Sequence, residues 1–459
     1  MRHKISRNDF MRGCGLVGLQ TFGGLSLGAA AKASSIEDMN PGEIVVRRPL
    51  PLDPTREVST IGLGGVRLPV LSGKLGSQDD AVDYETASRY VDYALAHGIN
   101  WFDTGYFYHN GDSEKFYGHA LARHPRESFW FCTKAPWWSI NSLSDAKRIF
   151  EEQLARTRFD YFDVYMIHSI MRQEDYEHAF LKTGALDYYR EQKAKGRIRH
   201  IGFSFHGRED FMDYLLAAGE WDVVTILMNG VDWGGAYRAS SLLDKLRKKG
   251  IPAVGMESLA GGHLARLRKE AHDLLQSRRP ELSDAAWSLR FAAERPGMMT
   301  AMTGFTKFEH LKENIHTFSA ANYRPLSDED VDMYFRAIKI NSGGGEGVAC
   351  SGCKYCMPCP YGVDIPQIFH FWNRTVKWGS LPSPSGDADH GARIGFLERY
   401  HKIAGRFRGA ERCIGCERCE KKCPQWQFNI PKELAKIDSF VESIRRAEPG
   451  FRASSASGK

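Results

Sequence analysis

Residues Asn100–Leu121 read NWFDTGYFYHNGDSEKFYGHAL. A short apolar run stops on Asp103, a polar loop follows, and an amphipathic segment covers 113–123. A run that short, rich in aromatics, suits a buried strand, and apolar residues at three- and four-residue intervals suit a helix packed on one face. The same strand–loop–helix unit recurs on both sides. Candidate strands lie at 58–64, 99–103, 129–134, 161–168, 198–204, 222–228, 252–257 and 299–304. Amphipathic stretches follow at 83–97, 113–123, 143–157, 184–195, 208–219, 238–249, 284–295 and 307–320. Eight such units in ~260 residues match an α/β fold of the (β/α)8 TIM-barrel type. A doubly wound sheet fits less well, because GLGG at 62–65 lacks the spacing of a dinucleotide fingerprint.

Barrel chemistry collects where strands end and loops begin. The second strand ends on Asp103, the third on Lys134 and the fourth on His168, with Tyr108 in the loop after the second. Each has an ordinary structural explanation alone: a carboxylate bonding loop amides, a solvated lysine, a satisfied core histidine. Together they form a proton-transfer set. A phenol is a poor acid near neutrality unless a cation stabilises its anion. Lys134 can supply that charge, Asp103 can hold the ammonium, and His168 can donate to a carbonyl oxygen as charge builds on it. Tyr106 is the alternative phenol.

The quoted stretch, with FCTK at 131–134 and YMIHS at 165–169, resembles the aldo/keto reductases. The resemblance implies a TIM barrel that interconverts carbonyls and alcohols with NADP or NAD, through a tetrad matched at Asp103, Tyr108, Lys134 and His168. It further implies that Ser204 holds the nicotinamide carboxamide and that Leu259 and Gly261 embrace the pyrophosphate. Thr306, Lys307, His310, Glu313 and Asn314 fall at the adenosine end. His310 stands where the family has an arginine on the 2′-phosphate, so NADH remains open beside NADPH. Met256 and Ser258 also depart from common family residues. Free amides at a helix N-terminus favour a phosphate near Thr306, although Thr306 and Glu309 could instead form a capping box. Trp137, Trp138 and Trp233 are expected at the pocket mouth, where indole faces suit a ring substrate, a sugar among the candidates.

Eight of the ten cysteines sit in two late runs. Cys413, Cys416, Cys419 and Cys423 have the C-x2-C-x2-C-x3-C-P spacing of bacterial ferredoxins. Cys350, Cys353, Cys356 and Cys359 follow the same rhythm with the last interval one residue shorter. In that arrangement three thiolates of a run hold one cubane and the fourth crosses to the other. One [4Fe-4S] cluster is expected on Cys350, Cys353, Cys356 and Cys423, and its twin on Cys413, Cys416, Cys419 and Cys359. Zinc and disulfides are the rivals, and a third evenly spaced thiol argues against a zinc knuckle. An Ile-Pro pair follows each run, at 365–366 and 430–431, which suggests a pseudo-twofold. Cys132 lies in an apolar run and reads as core.

The 459 residues, 42% hydrophobic and 26% charged, describe a globular chain. Its +6 net charge is dispersed and gives no argument for nucleic acid. The basic stretch 393–412 reads as a solvated helix and 379–391 as a flexible loop. No apolar run reaches the ~20 residues of a membrane span. The N-terminal SRNDFMRG resembles a twin-arginine export signal at Ser6, Arg7, Phe10 and Arg12, with Asn8 in place of the second arginine. The expected organisation is a leader over 1–35, an extension over 36–57, the barrel over 58–325 and a small α-rich ferredoxin-like domain over 326–459. Periplasmic location follows from the leader, cytoplasmic from its failure. The leading expectation is an oxidoreductase acting on a small carbonyl or alcohol, with an electron-carrier protein as a candidate partner of the clusters. The rival is an electron-transfer or redox-sensing protein with a retired barrel.

Overall fold

The computed structural model describes residues 39–74, 76–77, 80–234, 237–342, 347–348, 350, 356–405, 408–423 and 429–451. The expected leader and Cys353 lie outside them.

An antiparallel hairpin, β1 (Arg47–Leu50) and β2 (Asp53–Ser59), comes first. Eight parallel strands follow: β3 (Ile61–Gly64), β4 (Trp101–Asp103), β5 (Trp130–Pro136), β6 (Phe162–Ile170), β7 (Ile198–Phe205), β8 (Val223–Leu227), β9 (Ala253–Met256) and β10 (Met298–Thr303). They close in chain order, β10 pairing with β3. The expected first strand, 58–64, spans the end of β2 and all of β3, with Thr60 between them. Leu50 and Val58 of the hairpin pack with Trp101, Trp130, Val164, Val223, Val254 and Met299 of the barrel, so the hairpin plugs the mouth where strands begin. Each such side chain contributes about 1.5–3 kcal/mol on burial. Chemistry is left to the opposite rim.

The helix Leu143–Thr157 shows why the helical reading works. Ala146, Ile149, Phe150, Gln153, Leu154 and Thr157 recur on one buried face. Ser142 caps its start by accepting from Asp145 N–H, and Arg158 ends it in the left-handed region at φ 57°. Two helices of ten or more residues that pack with the barrel were not anticipated, Lys269–Arg278 and Asp328–Asn341. They pair through Arg278, which bonds Asp330 and Glu329, while Tyr334 reaches Ser288 of the barrel helix Asp284–Glu294. The helix Asp328–Asn341 therefore packs on the barrel.

The C-terminal region is helical: Ile365–Lys377, His390–Ala404 and Ile430–Ala447 surround a core of Ile368, Phe369, Trp372, Phe396, Tyr400, Leu434 and Val441. Both Ile-Pro pairs open a helix, with Asp364 and Asn429 as caps accepting from Gln367 N–H and Lys432 N–H. The stretch read as a solvated helix instead buries Arg393, Phe396, Leu397 and Tyr400, because Glu448 neutralises Arg393. The span 379–391 is not loose either. Arg268 and Arg393 collect its carbonyls at Gly379, Leu381, Ser383 and Gly386. Among the described residues no helix is long and apolar enough to cross a membrane.

Candidate active site

Three adjacent strands deliver the expected polar residues to one rim. Asp103 closes β4, Lys134 lies in β5 and His168 near the end of β6. Lys134 Nζ donates to Asp103 Oδ1 and, at 2.6 Å, to the Thr104 carbonyl. The same ammonium sits 5.2 Å from the centre of the Tyr108 ring. Tyr108 Oη and His168 Nε2 are 3.4 Å apart, long for a hydrogen bond and close enough for one polar atom beside the pair to reach both. Tyr106 is excluded as the phenol of this site, because its hydroxyl donates to Glu152 and Arg156 covers its ring at 4.1 Å.

Electrostatics separate the roles. Burial alone would lower the Lys134 pKa, but Asp103 and Tyr108 outweigh it and hold the ammonium above its ordinary value. Burial raises the Tyr108 phenol, and Lys134 opposes that rise without cancelling it. Lys134 was expected to lower the phenol below its ordinary value, but desolvation outweighs it. Burial, with the Lys134 and His206 charges, drives His168 well below its ordinary value, so the imidazole is neutral near pH 7. Burial and Asp103 raise the Cys132 thiol, an inert core residue as expected.

Several residues that shape the site are silent in the sequence. A β-carbon on Gly105 would lie 3.3 Å from both His168 Cε1 and Tyr108 Cζ, so the two rings meet over a bare backbone. Directly after Tyr108, His109 and Asn110 adopt left-handed backbone at φ 51° and 56°, and Ser169 after His168 does so at 52°. Such non-glycine strain persists only where neighbours enforce it. His109 Nδ1 meets the Asp80 carbonyl at 2.9 Å and Ser169 N–H donates to Ser204, while a buried network braces the residues around the loop. Glu114 accepts from Thr133 and Gln153 at 2.6 Å and from Arg156 at 3.0 Å. Arg156 also holds the Tyr106 carbonyl, and Gln153 the Lys134 carbonyl.

The expected cofactor residues line the same rim. Ser204 is buried at the end of β7, where its hydroxyl accepts from Ser169 N–H at 2.6 Å. Leu259 and Gly261 lie in the loop after β9, in which Glu257, Ala260, Gly261 and Gly262 all have positive φ. These residues curl the backbone into a concave cradle, closed by Ala260 N–H on the Glu257 carbonyl at 2.8 Å and Gly262 N–H on the Leu259 carbonyl at 2.9 Å. Nothing lies within 4 Å of a β-carbon placed on Gly262, so the cradle is open. Thr306 and Lys307 precede the helix Phe308–Phe318, whose cap is Lys307 with no side-chain bond; the capping box does not form. His310 is exposed, Asn314 is buried, and Glu313 is taken up by Ser283. Arg67, unremarked in the sequence, lies between the two loops: a β-carbon on Gly261 would be 3.8 Å from its Nη2, and one on Gly304 3.3 Å from its Cβ. The open cradle and this cation fit a dinucleotide.

Phe107 and Trp138, each 44% exposed, stack at 5.9 Å beside His168. Trp137 touches Trp138 edge-on. Trp233 does not join them, because Phe291 and Phe335 draw it toward the helices Asp284–Glu294 and Asp328–Asn341.

In the C-terminal region Cys356 is buried, and Cys350, Cys359, Cys413, Cys419 and Cys423 pack against the helical core; Cys416 is exposed. Among the described residues no disulfide joins the cysteines of the two runs. Burial, with Cys413 beside it, pushes the Cys419 thiol up to about 11. Among the described residues no three His, Cys, Asp or Glu side chains converge on a single-ion site. Two runs of four cysteines at ferredoxin-like spacing are a donor set that suits [4Fe-4S] clusters.

The comparisons agree with this division. The model of the aldo/keto reductase family matches residues 61–338, and that of the 4Fe-4S dicluster domain matches 349–428. The uncharacterized oxidoreductase YqkF of Bacillus subtilis is 25% identical over 299 residues, covering 59% of this chain and 93% of that protein. An aldo-keto reductase of Bacillus halodurans in its holo form superposes with a TM-score of 0.53 at 20% identity, covering 64% of this chain and 96% of the other. An aldo-keto reductase from Klebsiella pneumoniae, solved with NADPH, gives 0.51 at 20% identity, with 63% and 95% covered.

Proposed function

Since the chain belongs to the aldo/keto reductase family, we propose that it interconverts a carbonyl and an alcohol with a nicotinamide dinucleotide, using Tyr108 as the general acid and base. The observation that carries this reading is the Lys134 ammonium, clamped by Asp103 and the Thr104 carbonyl beneath the Tyr108 ring. A substrate oxygen between Tyr108 Oη and His168 Nε2 accepts a hydrogen bond from each. The nicotinamide supplies the hydride. Tyr108 gives its proton to the oxygen as negative charge grows there, and Lys134 stabilises the phenolate left behind. His168 stays neutral and donates without titrating. In the oxidative direction the phenolate takes the proton back.

Ser204, the 257–262 cradle and Arg67 hold the carboxamide and pyrophosphate, and Thr306, Lys307, His310 and Asn314 the adenosine end. Glu313 is engaged with Ser283 and leaves that set unless it turns. The Phe107–Trp138 pair offers an apolar face to a ring substrate. Cys350, Cys353, Cys356 and Cys423 hold one [4Fe-4S] cluster, and Cys413, Cys416, Cys419 and Cys359 the other. These centres supply one-electron transfer, and an electron-carrier protein is their natural partner. We further propose export of the folded protein through the twin-arginine-like leader, which cell fractionation tests.

Fluorescence titration of anaerobically purified protein with NADPH and NADH tests the central reading. Saturable quenching by either supports it. Absence of binding by both would favour the retired-barrel alternative.

A further inference from the structure

The cradle after β9 is tied down by the iron–sulfur region. The loop continues through the turn Ala260–Ala265 to Arg268, which caps the helix Lys269–Arg278. Arg268 N–H donates to Asn341 Oδ1 at 3.0 Å. Its guanidinium donates to the Gly379 carbonyl from Nε at 3.0 Å and from Nη2 at 2.8 Å, and to the Leu381 carbonyl. Five residues earlier, His263 stacks on Trp378 with centroids 5.0 Å apart and planes at 23°. Arg374 covers Trp378 in turn, 4.3 Å from its ring centre. A β-carbon on Gly379 would stand 2.7 Å from the Asn341 carbonyl oxygen, so only glycine lets the two backbones approach this closely.

Trp378 and Gly379 terminate the helix Ile365–Lys377, which begins six residues after Cys359. One short helix therefore joins the first cysteine run to the cradle. Glu257 and Ala260 hold left-handed backbone, unfavourable for residues with a β-carbon unless their surroundings enforce it. A loop already held in its binding conformation need not be ordered when its ligand arrives.

We propose that Arg268 and Trp378 are positioning residues for the pyrophosphate cradle, so that the iron–sulfur region is a structural part of the dinucleotide site. This rests on the nicotinamide reading of the barrel. It gives the C-terminal region a role that needs no electron to pass between cubane and nicotinamide.

The test uses the full-length protein with its iron intact, titrated with NADPH and NADH and, separately, with 5′-AMP, which lacks the pyrophosphate bridge. Trp378→Ala, Arg268→Ala and His263→Ala are compared with Trp378→Phe. His263 is exposed, so its truncation removes a surface ring and opens no core cavity. The dinucleotide dissociation constant should rise about five- to tenfold in the alanine variants, while 5′-AMP affinity and iron per chain stay at wild-type values, and Trp378→Phe should recover most of the loss. If the wild type binds neither dinucleotide, the nicotinamide reading itself fails. If it binds and His263→Ala and Trp378→Ala stay within twofold of it, or if 5′-AMP weakens in parallel, the positioning role is overturned and the nicotinamide reading stands.

Discussion

Replacing Lys134 with methionine keeps the side chain's length and removes its charge. Lys134 is 3% exposed and Asp103 6%, and the ammonium serves both that carboxylate and the Thr104 carbonyl. Removing one partner of a buried pair leaves the other uncompensated, at about 3–5 kcal/mol. At about 2–4 °C per kcal/mol for a domain of this size, the barrel transition should fall by roughly 6–20 °C. In the wild type the raised Lys134 pKa contributes stability that is present below the ordinary lysine range and lost as pH rises above it. In the variant the buried Asp103 side chain has no cation beside it. Adding Asp103→Asn should recover ~0.5–3 kcal/mol of the loss. Denaturant unfolding followed by tryptophan fluorescence reads all three variants. A loss under ~1 kcal/mol that adds to that of Asp103→Asn would refute the ionised pair.

Two further perturbations probe the rim. Gly105→Ala places a methyl against Tyr108 and His168 and should lower kcat about ten- to a hundredfold with dinucleotide affinity unchanged, as steady-state kinetics beside a binding titration will show. Because the His168 pKa lies well below its ordinary value, kcat/KM should show no inflection from this group between pH ~6 and 8. Its neutral folded form contributes stability above the ordinary histidine range that erodes as pH falls below it. An inflection near 6.5 that vanishes in His168→Gln would contradict the assignment.

The barrel was legible because each strand and helix carries its own period: all eight expected helices and seven of the eight expected strands lie within about two residues of observed ones. The meeting of Asp103, Lys134 and His168 was legible because they lie at or near strand ends, the one place where sequence order fixes position on the rim. What stayed hidden depends on distant partners. Nothing in the spacing of Glu114, Gln153 and Arg156 says that they meet beneath the Tyr108 loop. Gly105 looks like any loop glycine until two rings close over it. Arg67 gains meaning only from loops some two hundred residues later. Trp233 was misplaced because Phe335 comes from a helix the periodicity did not reveal. The span 379–391 has the composition of a linker, yet its carbonyls suit the donors of Arg268 and Arg393.

Tyr108→Phe tests the account most directly, because it removes one oxygen and leaves the ring over Lys134 in place. Carbonyl-dependent oxidation of NADPH or NADH should fall by roughly 10²–10⁴-fold in kcat, while dinucleotide affinity and iron per chain remain at wild-type values. Turnover retained at the wild-type rate would mean that the proton comes from elsewhere, and the proposed chemistry of this rim would be wrong.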